Sequence, residues 1–318
     1  MTAARFPSFA RDTGGYESFY VRAVDPRAPR AVWLRHTVHQ ASGRDPVGSC
    51  WITLFDARWP HPLAHKASFD GPAPLPAGGL HVGHSSFAAD GVHGGVGERA
   101  SWDLAWEGDE PPLSHLPAAW MYRARLPRTK LESPRPAVRV SGVAHMGDAM
   151  LELDGWPGMV GHNWGTQHAE RWIWLHGALF EGAPEAWLDL SLGRVRLGGA
   201  TTPWVANGAL SVDGERLRLG GLRRRVAVKA GPRHVELVIP GQLRLTARSP
   251  LERTVVWRYA DPDGSEHHVA NCSIAPLELV VQGGRGAGRT LRTAHGGAYE
   301  HGAREAPAEP AVQPFGDP

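Results

Sequence analysis

The chain has only two cysteines, Cys50 and Cys272, in 318 residues, which excludes a disulfide scaffold and a cysteine-rich zinc module. Long apolar runs are absent. No stretch approaches a membrane span, and the N-terminal MTAARFPSFARDTGGYESF has no apolar signal-peptide core, so the expectation is a soluble, cytoplasmic protein without an integral membrane segment. In that setting the sequon Asn271-Cys272-Ser273 carries no meaning. An excess of one charge sign is also missing. Lys plus Arg number 34 against 32 Asp plus Glu, a net charge of +2, and the signs are interspersed, so no nucleic-acid footprint or anionic-membrane patch stands out. The one tight basic run, Arg223 to Arg225, falls at the start of an expected strand and reads as a solvated sheet edge. Long 3.6-period segments between strands are lacking too, which removes the crossover helices that a parallel sheet requires.

What the chain has in quantity is turn formers and tryptophan. Glycine (39) and proline (27) punctuate the sequence well beyond average usage. Period-two segments separated by turns dominate: 18–24, 31–40, 48–56, 100–107, 137–145, 149–154, 171–181 and 186–197, then 208–212, 215–219, 223–230, 234–239, 242–248, 253–259, 267–273 and 277–282. Asp154-Gly155, Asp213-Gly214 and Asp263-Gly264 supply the positive-φ pairs of tight hairpins. These features predict an all-β protein of antiparallel barrels or sandwiches, with barrel closure removing sheet edges. A boundary is expected near Gly198-Gly199, giving units of 1–198 and 199–303, and the Pro- and Ala-rich 304–318 tail is expected to be disordered.

The segment Trp156 to Glu181, WPGMVGHNWGTQHAERWIWLHGALFE, gathers four Trp, three His, two Glu and one Arg. From Arg171 onward Trp172, Trp174 and His176 share one face of a strand, and Ile173 and Leu175 share the other. Both faces are largely apolar, which predicts a strand buried on both sides whose aromatic face lines a cavity. Gly161 and Gly165 are expected to frame a tight bend in which Asn163 and Trp164 act as a turn lock.

Three motifs fail on context. Gly83-His84-Ser85-Ser86-Phe87 resembles a nucleophile elbow but lacks its last glycine and the helix that follows. Gly283 to Thr290 resembles a phosphate loop, but Arg289 stands where the motif has Lys and no helix follows. His162, His168 and His176 match no zinc spacing. No metal and no cofactor are expected.

Taken in order, Asp154-Gly155-Trp156, Gly161-His162-Asn163-Trp164-Gly165 and Trp172-Ile173-Trp174 resemble the superfamily of tocopherol cyclases, carotenoid 1,2-hydratases (hydroxyneurosporene synthases) and fungal decalin-forming Diels–Alderases. Tyr16 to Tyr20 and Val32 to Arg35 are similar to its opening strands. The resemblance spans about residues 15 to 302. It implies two lipocalin-like (calycin-type) antiparallel β-barrels in tandem, and a hydrophobic prenyl, polyene or polyketide substrate that is cyclised, isomerised or hydrated. Relatives often carry Asp before Asn-Trp-Gly, where this chain has His162, a departure that argues against an Asp-driven protonation.

Protonating an unsaturated substrate requires a donor in a dry pocket, and His162, His168, Glu170 and His176 are the titratable groups beside the Trp-rich wall. Trp156, Asn163, Trp164, Trp172 and Trp174 are the candidate substrate-binding residues, since Trp faces stabilise developing cations and hold a folded chain. Glu170 with Arg171 can equally be a structural ion pair. A non-catalytic carrier of an apolar ligand is the alternative reading, because the fold alone does not separate the two. A titratable cluster with shifted protonation beside the Trp wall would favour catalysis.

Overall fold

The computed structural model describes residues 2–284 and 286–315. Among the described residues the only helical turns are three short 3-10 segments, and the remainder is strand and loop. Strands pair antiparallel in a 12-stranded and a 10-stranded sheet. Each sheet curls around its own apolar core, so the molecule is two lipocalin-like barrels in tandem.

The first sheet places Gly15–Val24 between Arg30–Gln40 and Ala149–Gly165. Alternation then sorts its side chains. Phe19, Val21 and Ala23 point into the first core with Val160 and Trp156, and Tyr16, Tyr20 and Arg22 point the other way. That second face is not wet: all ten residues of the strand are buried, because the other barrel covers it. Tyr20 and Met159 of the first sheet pack with Trp174 and Ala298 of the second. Burying such side chains contributes roughly 1.5–3 kcal/mol each. Arg171–Gly177, between Trp187–Arg194 and Thr290–Ala303, is the counterpart strand, and its run from Ile173 to Gly177 is buried on both faces as the alternation predicts.

Several expectations are corrected. The change of sheet falls between Gly165 and Arg171, not at 198/199, so Trp172 and Trp174 open the second barrel. Gly198 instead turns a small excursion, Arg196–Leu197 paired with Ala200–Thr201. Asp154-Gly155 makes no hairpin, because Ala149–Gly165 runs through it as one strand. The extra length is absorbed by a register shift opposite Ser141, with Gly155 at φ +59° donating its N–H to Ser141 Oγ at 3.0 Å. Asp213-Gly214, with φ of 52° and 76°, does turn the hairpin between Val205–Val212 and Glu215–Gly220. Gly161 and Gly165 frame no bend either; they allow close approach. A Cβ at Gly161 would lie 2.1 Å from Tyr20 Cζ, and one at Gly165 2.1 Å from the Arg128 carbonyl oxygen.

Residues 304–315 make two contacts with the body of the protein. Val312 bridges to Val256, and Phe315 meets His65 edge-on at 5.0 Å. The rest of the expected tail, Gly316 to Pro318, lies outside the described residues, as does Arg285 in the Gly283 to Thr290 loop.

Candidate functional site

The outer face of Gly15–Val24 and Ala149–Gly165 meets that of Arg171–Gly177 and Thr290–Ala303 around a cavity of about 120 Å³. Tyr16 and Tyr20, Asn163, Trp172 and Trp174, and Glu300 project into it by strand alternation, joined by Trp33, Arg35 and Tyr259. The wall at Thr129, His168, Ala169 and Ser191 is shared with a larger outer cavity of about 660 Å³. Trp172 lies flat where a side chain at 302 would stand: a Cβ at Gly302 would meet its indole at 2.1 Å. Trp172 donates its indole N–H to Glu300 Oε1 at 2.8 Å, and Trp174 donates to Asp189 Oδ1 at 3.1 Å. Tyr20 sits edge-on to Trp174 with ring centroids 5.7 Å apart.

Burial shifts three acids at this wall, Glu300, Tyr20 and Asp189. Burial pushes Glu300 above the usual carboxylate range, against the pull of the Trp172 hydrogen bond and the Arg35 guanidinium. Its remaining exposed surface faces the cavity. Burial also pushes Tyr20 well up, reinforced by the negative charges of Asp189 and Glu300. Burial pushes Asp189 up as well, but the hydrogen-bonded His115, 3.3 Å away, and Ser133 bring it net below its ordinary value. Arg35 is held by Ser18 Oγ at 2.6 Å and stacks 4.0 Å over Tyr259, so a cation is fixed beside the carboxyl of Glu300 without an ion pair to it.

The sequence-derived candidates separate into two groups. His168, Trp172, Trp174 and Asn163 line the inner cavity, and Glu170 lines the outer one while holding Arg304 at 2.9 Å. Asn163 Oδ1 is buried without a hydrogen-bond partner. His168 stacks on Tyr16 at 3.9 Å, and its Nδ1 is bound to Asp261 at 2.7 Å, which leaves Nε2 as the ring nitrogen available to a ligand.

The others lie away from the cavity. His162 is fully buried inside the first barrel, with Nε2 2.7 Å from Glu17 and Nδ1 3.1 Å from Glu132, between Phe19 and Trp164. Trp164 also carries Arg5 over its ring at 5.2 Å, and Trp156 fills the same core beneath Arg30. His176 accepts a hydrogen bond from Arg22 at 2.8 Å, and burial followed by that guanidinium pushes it down to about 3. Parity explains the placement of His162 and Trp164: residues 162 and 164 point into the barrel, whereas 163 points out of it. His176 shares the face of Trp172 and Trp174 and meets Arg22 further along the strand.

Glu300, Tyr16, Tyr20, Arg35 and Tyr259 are cavity residues that sequence reasoning missed, as it missed Asp261, the buried partner of His168. Glu300 had a legible signal, a lone acid in AHGGAYEHGA, but the glycines there hid the strand that carries it. Among the described residues His168, Asp261 and His267 are the group that could hold a metal ion, their ligand atoms lying within 4.8 Å of one another.

No family model matches the chain. It is 26% identical over 306 residues to an uncharacterized protein of Mycobacterium tuberculosis, Rv0493c, covering 88% of this chain and 85% of that one. Among solved structures it is similar to CghA, crystallised with Sch210972, at a TM-score of 0.63 and 12% identity over 92% of this chain and 88% of the other. Kievitone hydratase from Nectria haematococca superposes with a TM-score of 0.59 at 9% identity, covering 91% and 88%. A putative AttH from Nitrosomonas europaea gives 0.52 at 12%, covering 95% and 97%. The fold of this chain is the fold of these solved structures.

Proposed function

We propose that the protein is an enzyme that cyclises, isomerises or hydrates an apolar unsaturated small molecule, such as a prenyl, polyene or polyketide chain, bound between the two barrels. The observation that carries this reading is Glu300, a carboxyl kept up by burial that opens onto a cavity walled by Trp172, Trp174 and Tyr20. A purely apolar cavity would favour a carrier; a shifted acid beside the aromatic wall favours chemistry. The outer cavity, at about 660 Å³, is within the usual range for small-molecule sites. The inner chamber takes only the reacting end.

In this reading the Glu300 O–H gives its proton to one carbon of a double bond, whose π pair becomes the new C–H bond. The neighbouring carbon becomes cationic and is stabilised by the faces of Trp172, Trp174 and Tyr20. A second double bond then closes a ring, or water adds its oxygen. Loss of a proton from the adjacent carbon, or from the added water, returns it to the Glu300 carboxylate. His168, aligned by Asp261, is the second group able to accept that proton. Kievitone hydratase shares the fold and is a hydratase by name, which supports water addition among the outcomes. Of the sequence candidates, His168 is assigned to proton transfer and Glu170 to the cavity mouth. His162 and His176 are assigned to the barrel interior and the Arg22 contact.

The test combines binding and turnover. A polyene probe, all-trans-retinol, should quench tryptophan emission of the wild type. Trp174→Ala should weaken that binding by about 1–3 kcal/mol. On a converted substrate Glu300→Gln should lower turnover about 10²–10⁴-fold, since the lost interaction belongs to the transition state. Binding with no conversion of any component of a cell extract would make the protein a carrier. Equal retinol affinity in a folded Trp174→Ala would remove the site from between the barrels.

A further inference from the structure

Four large apolar side chains are conspicuously exposed among the described residues: Trp120 at 64%, Leu126 at 50%, Met150 at 49% and Leu222 at 60%. Three of them, all but Met150, line the same outer cavity. They come from separate parts of the chain, the loop after Ser114 and the loop before Ala227, and the fold sets them around one mouth. Scattered exposed apolar residues need no explanation, but a cluster at a cavity entrance marks a contact surface.

Apart from Glu170, which lines the outer cavity and is paired with Arg304 at 2.9 Å, the charge around that mouth is one-sided. The segments 115–128, 193–207 and 220–231 supply its rim and contain Arg123, Arg125, Arg128, Arg194, Arg196 and Arg223 to Arg225, and not one Asp or Glu. Arg123, Arg125, Arg128, Arg196 and Arg223 to Arg225 are exposed. Arg128 reaches Gln167 and Arg224 reaches the Pro240 carbonyl, both neutral acceptors. For a chain of net charge +2, this is a strongly basic face.

We propose that this face docks on an anionic lipid surface, with Trp120, Leu126 and Leu222 inserted among the headgroups and the arginines on the lipid phosphates. An indole with aliphatic tips inside a ring of arginines fits a surface that is apolar at its centre and negative at its rim. A nucleic acid satisfies the arginines but gives the two leucines nothing to bury in. Docking here turns the cavity mouth to the membrane, so an apolar ligand passes between lipid and cavity without crossing water. This last step rests on the function proposed above; the docking does not.

The test is co-sedimentation with vesicles of phosphatidylcholine alone and with added phosphatidylglycerol, at 0.05 and 0.5 M NaCl. The wild type should pellet with the anionic vesicles at low salt and be released at high salt. Trp120→Ala/Leu126→Ala/Leu222→Ala and, separately, Arg223→Ala/Arg224→Ala/Arg225→Ala should each weaken this binding at least about tenfold while keeping the wild-type circular dichroism. The three-arginine variant should still quench with retinol in vesicle-free buffer like the wild type, so loss of docking and loss of the binding site are read separately. Wild-type vesicle binding by both variants would overturn the proposal, as would no binding to anionic vesicles. Duplex DNA binding that depends on the arginines and not on Trp120, Leu126 and Leu222, without vesicle binding, would assign the face to nucleic acid instead.

Discussion

A carboxyl in the position of Glu300 is held by two donors, the Trp172 indole N–H at 2.8 Å and the Asn271 amide at 3.3 Å, and neither is a cation. Hydrogen bonds of this kind steady the group without making its charge cheap. Burial therefore raises the folded pKa above the unfolded value of about 4.3. The folded state binds that proton more tightly, so the Glu300 contribution to stability is complete below about pH 4 and is lost as pH rises through the folded value. Glu300→Gln should accordingly melt above the wild type at pH 8 and alongside it near pH 4, as read by calorimetry. A wild type that gains on the variant as pH rises would mean an ionised, stabilised carboxylate. His162 is an imidazole between two carboxyls, with Glu17 also accepting the backbone N–H of Arg5 and Phe6 at 2.7–2.8 Å. Glu17→Ala leaves these buried donors unpaired and should cost about 3–5 kcal/mol, with hydrogen exchange at the Arg5 and Phe6 amides rising. Protection of those amides unchanged from wild type would contradict this.

At the scale of the strand, the central fact is that Gly15–Val24, residues 156–165 of Ala149–Gly165 and residues 173–177 of Arg171–Gly177 are covered on both faces. Sequence alternation revealed this for Arg171–Gly177, where Trp172-Ile173-Trp174-Leu175 is apolar whichever way it is turned. It did not reveal it for Gly15–Val24, whose Tyr16, Ser18, Tyr20 and Arg22 look like an ordinary wet face until a second barrel is set against them. The Gly-rich strand Thr290–Ala303 was illegible for a related reason: its glycines accept neighbours, such as Trp172 over Gly302, that only the fold supplies. Gly161 is the most sensitive of these contacts. Gly161→Ala puts a methyl against the Tyr20 ring and should destabilise by about 1–3 kcal/mol while weakening retinol binding, because Tyr20 must swing into the cavity. Unchanged stability and affinity would show that the strands separate freely.

At the scale of the molecule, the barrels share a core contact through Tyr20, Met159, Trp174 and Ala298, and the cavity lies beside it. The two-barrel architecture was legible from hairpin spacing and the resemblance, since turn chemistry is local. The point where one barrel ends was not, because Gly198-Gly199 has the composition of a linker and Thr166 to Glu170 does not. Part of the inner cavity's lining was legible, because Trp172, Trp174, Asn163 and His168 sit in one segment. Glu300, Arg35 and Tyr259 come from strands far apart in sequence, and no local pattern brings them together. The basic rim is hidden in the same way, its arginines balanced along the chain by acids that fold elsewhere. The account as a whole rests on Glu300 delivering a proton to carbon in the cavity. The most direct measurement is mass spectrometry of an extract from cells lacking the protein, incubated in D₂O with wild type or with Glu300→Gln. The account predicts one component that the wild type converts to a product carrying a carbon-bound deuterium, and that Glu300→Gln leaves in place. Conversion by Glu300→Gln at the wild-type rate, or a product without carbon-bound deuterium, would contradict it.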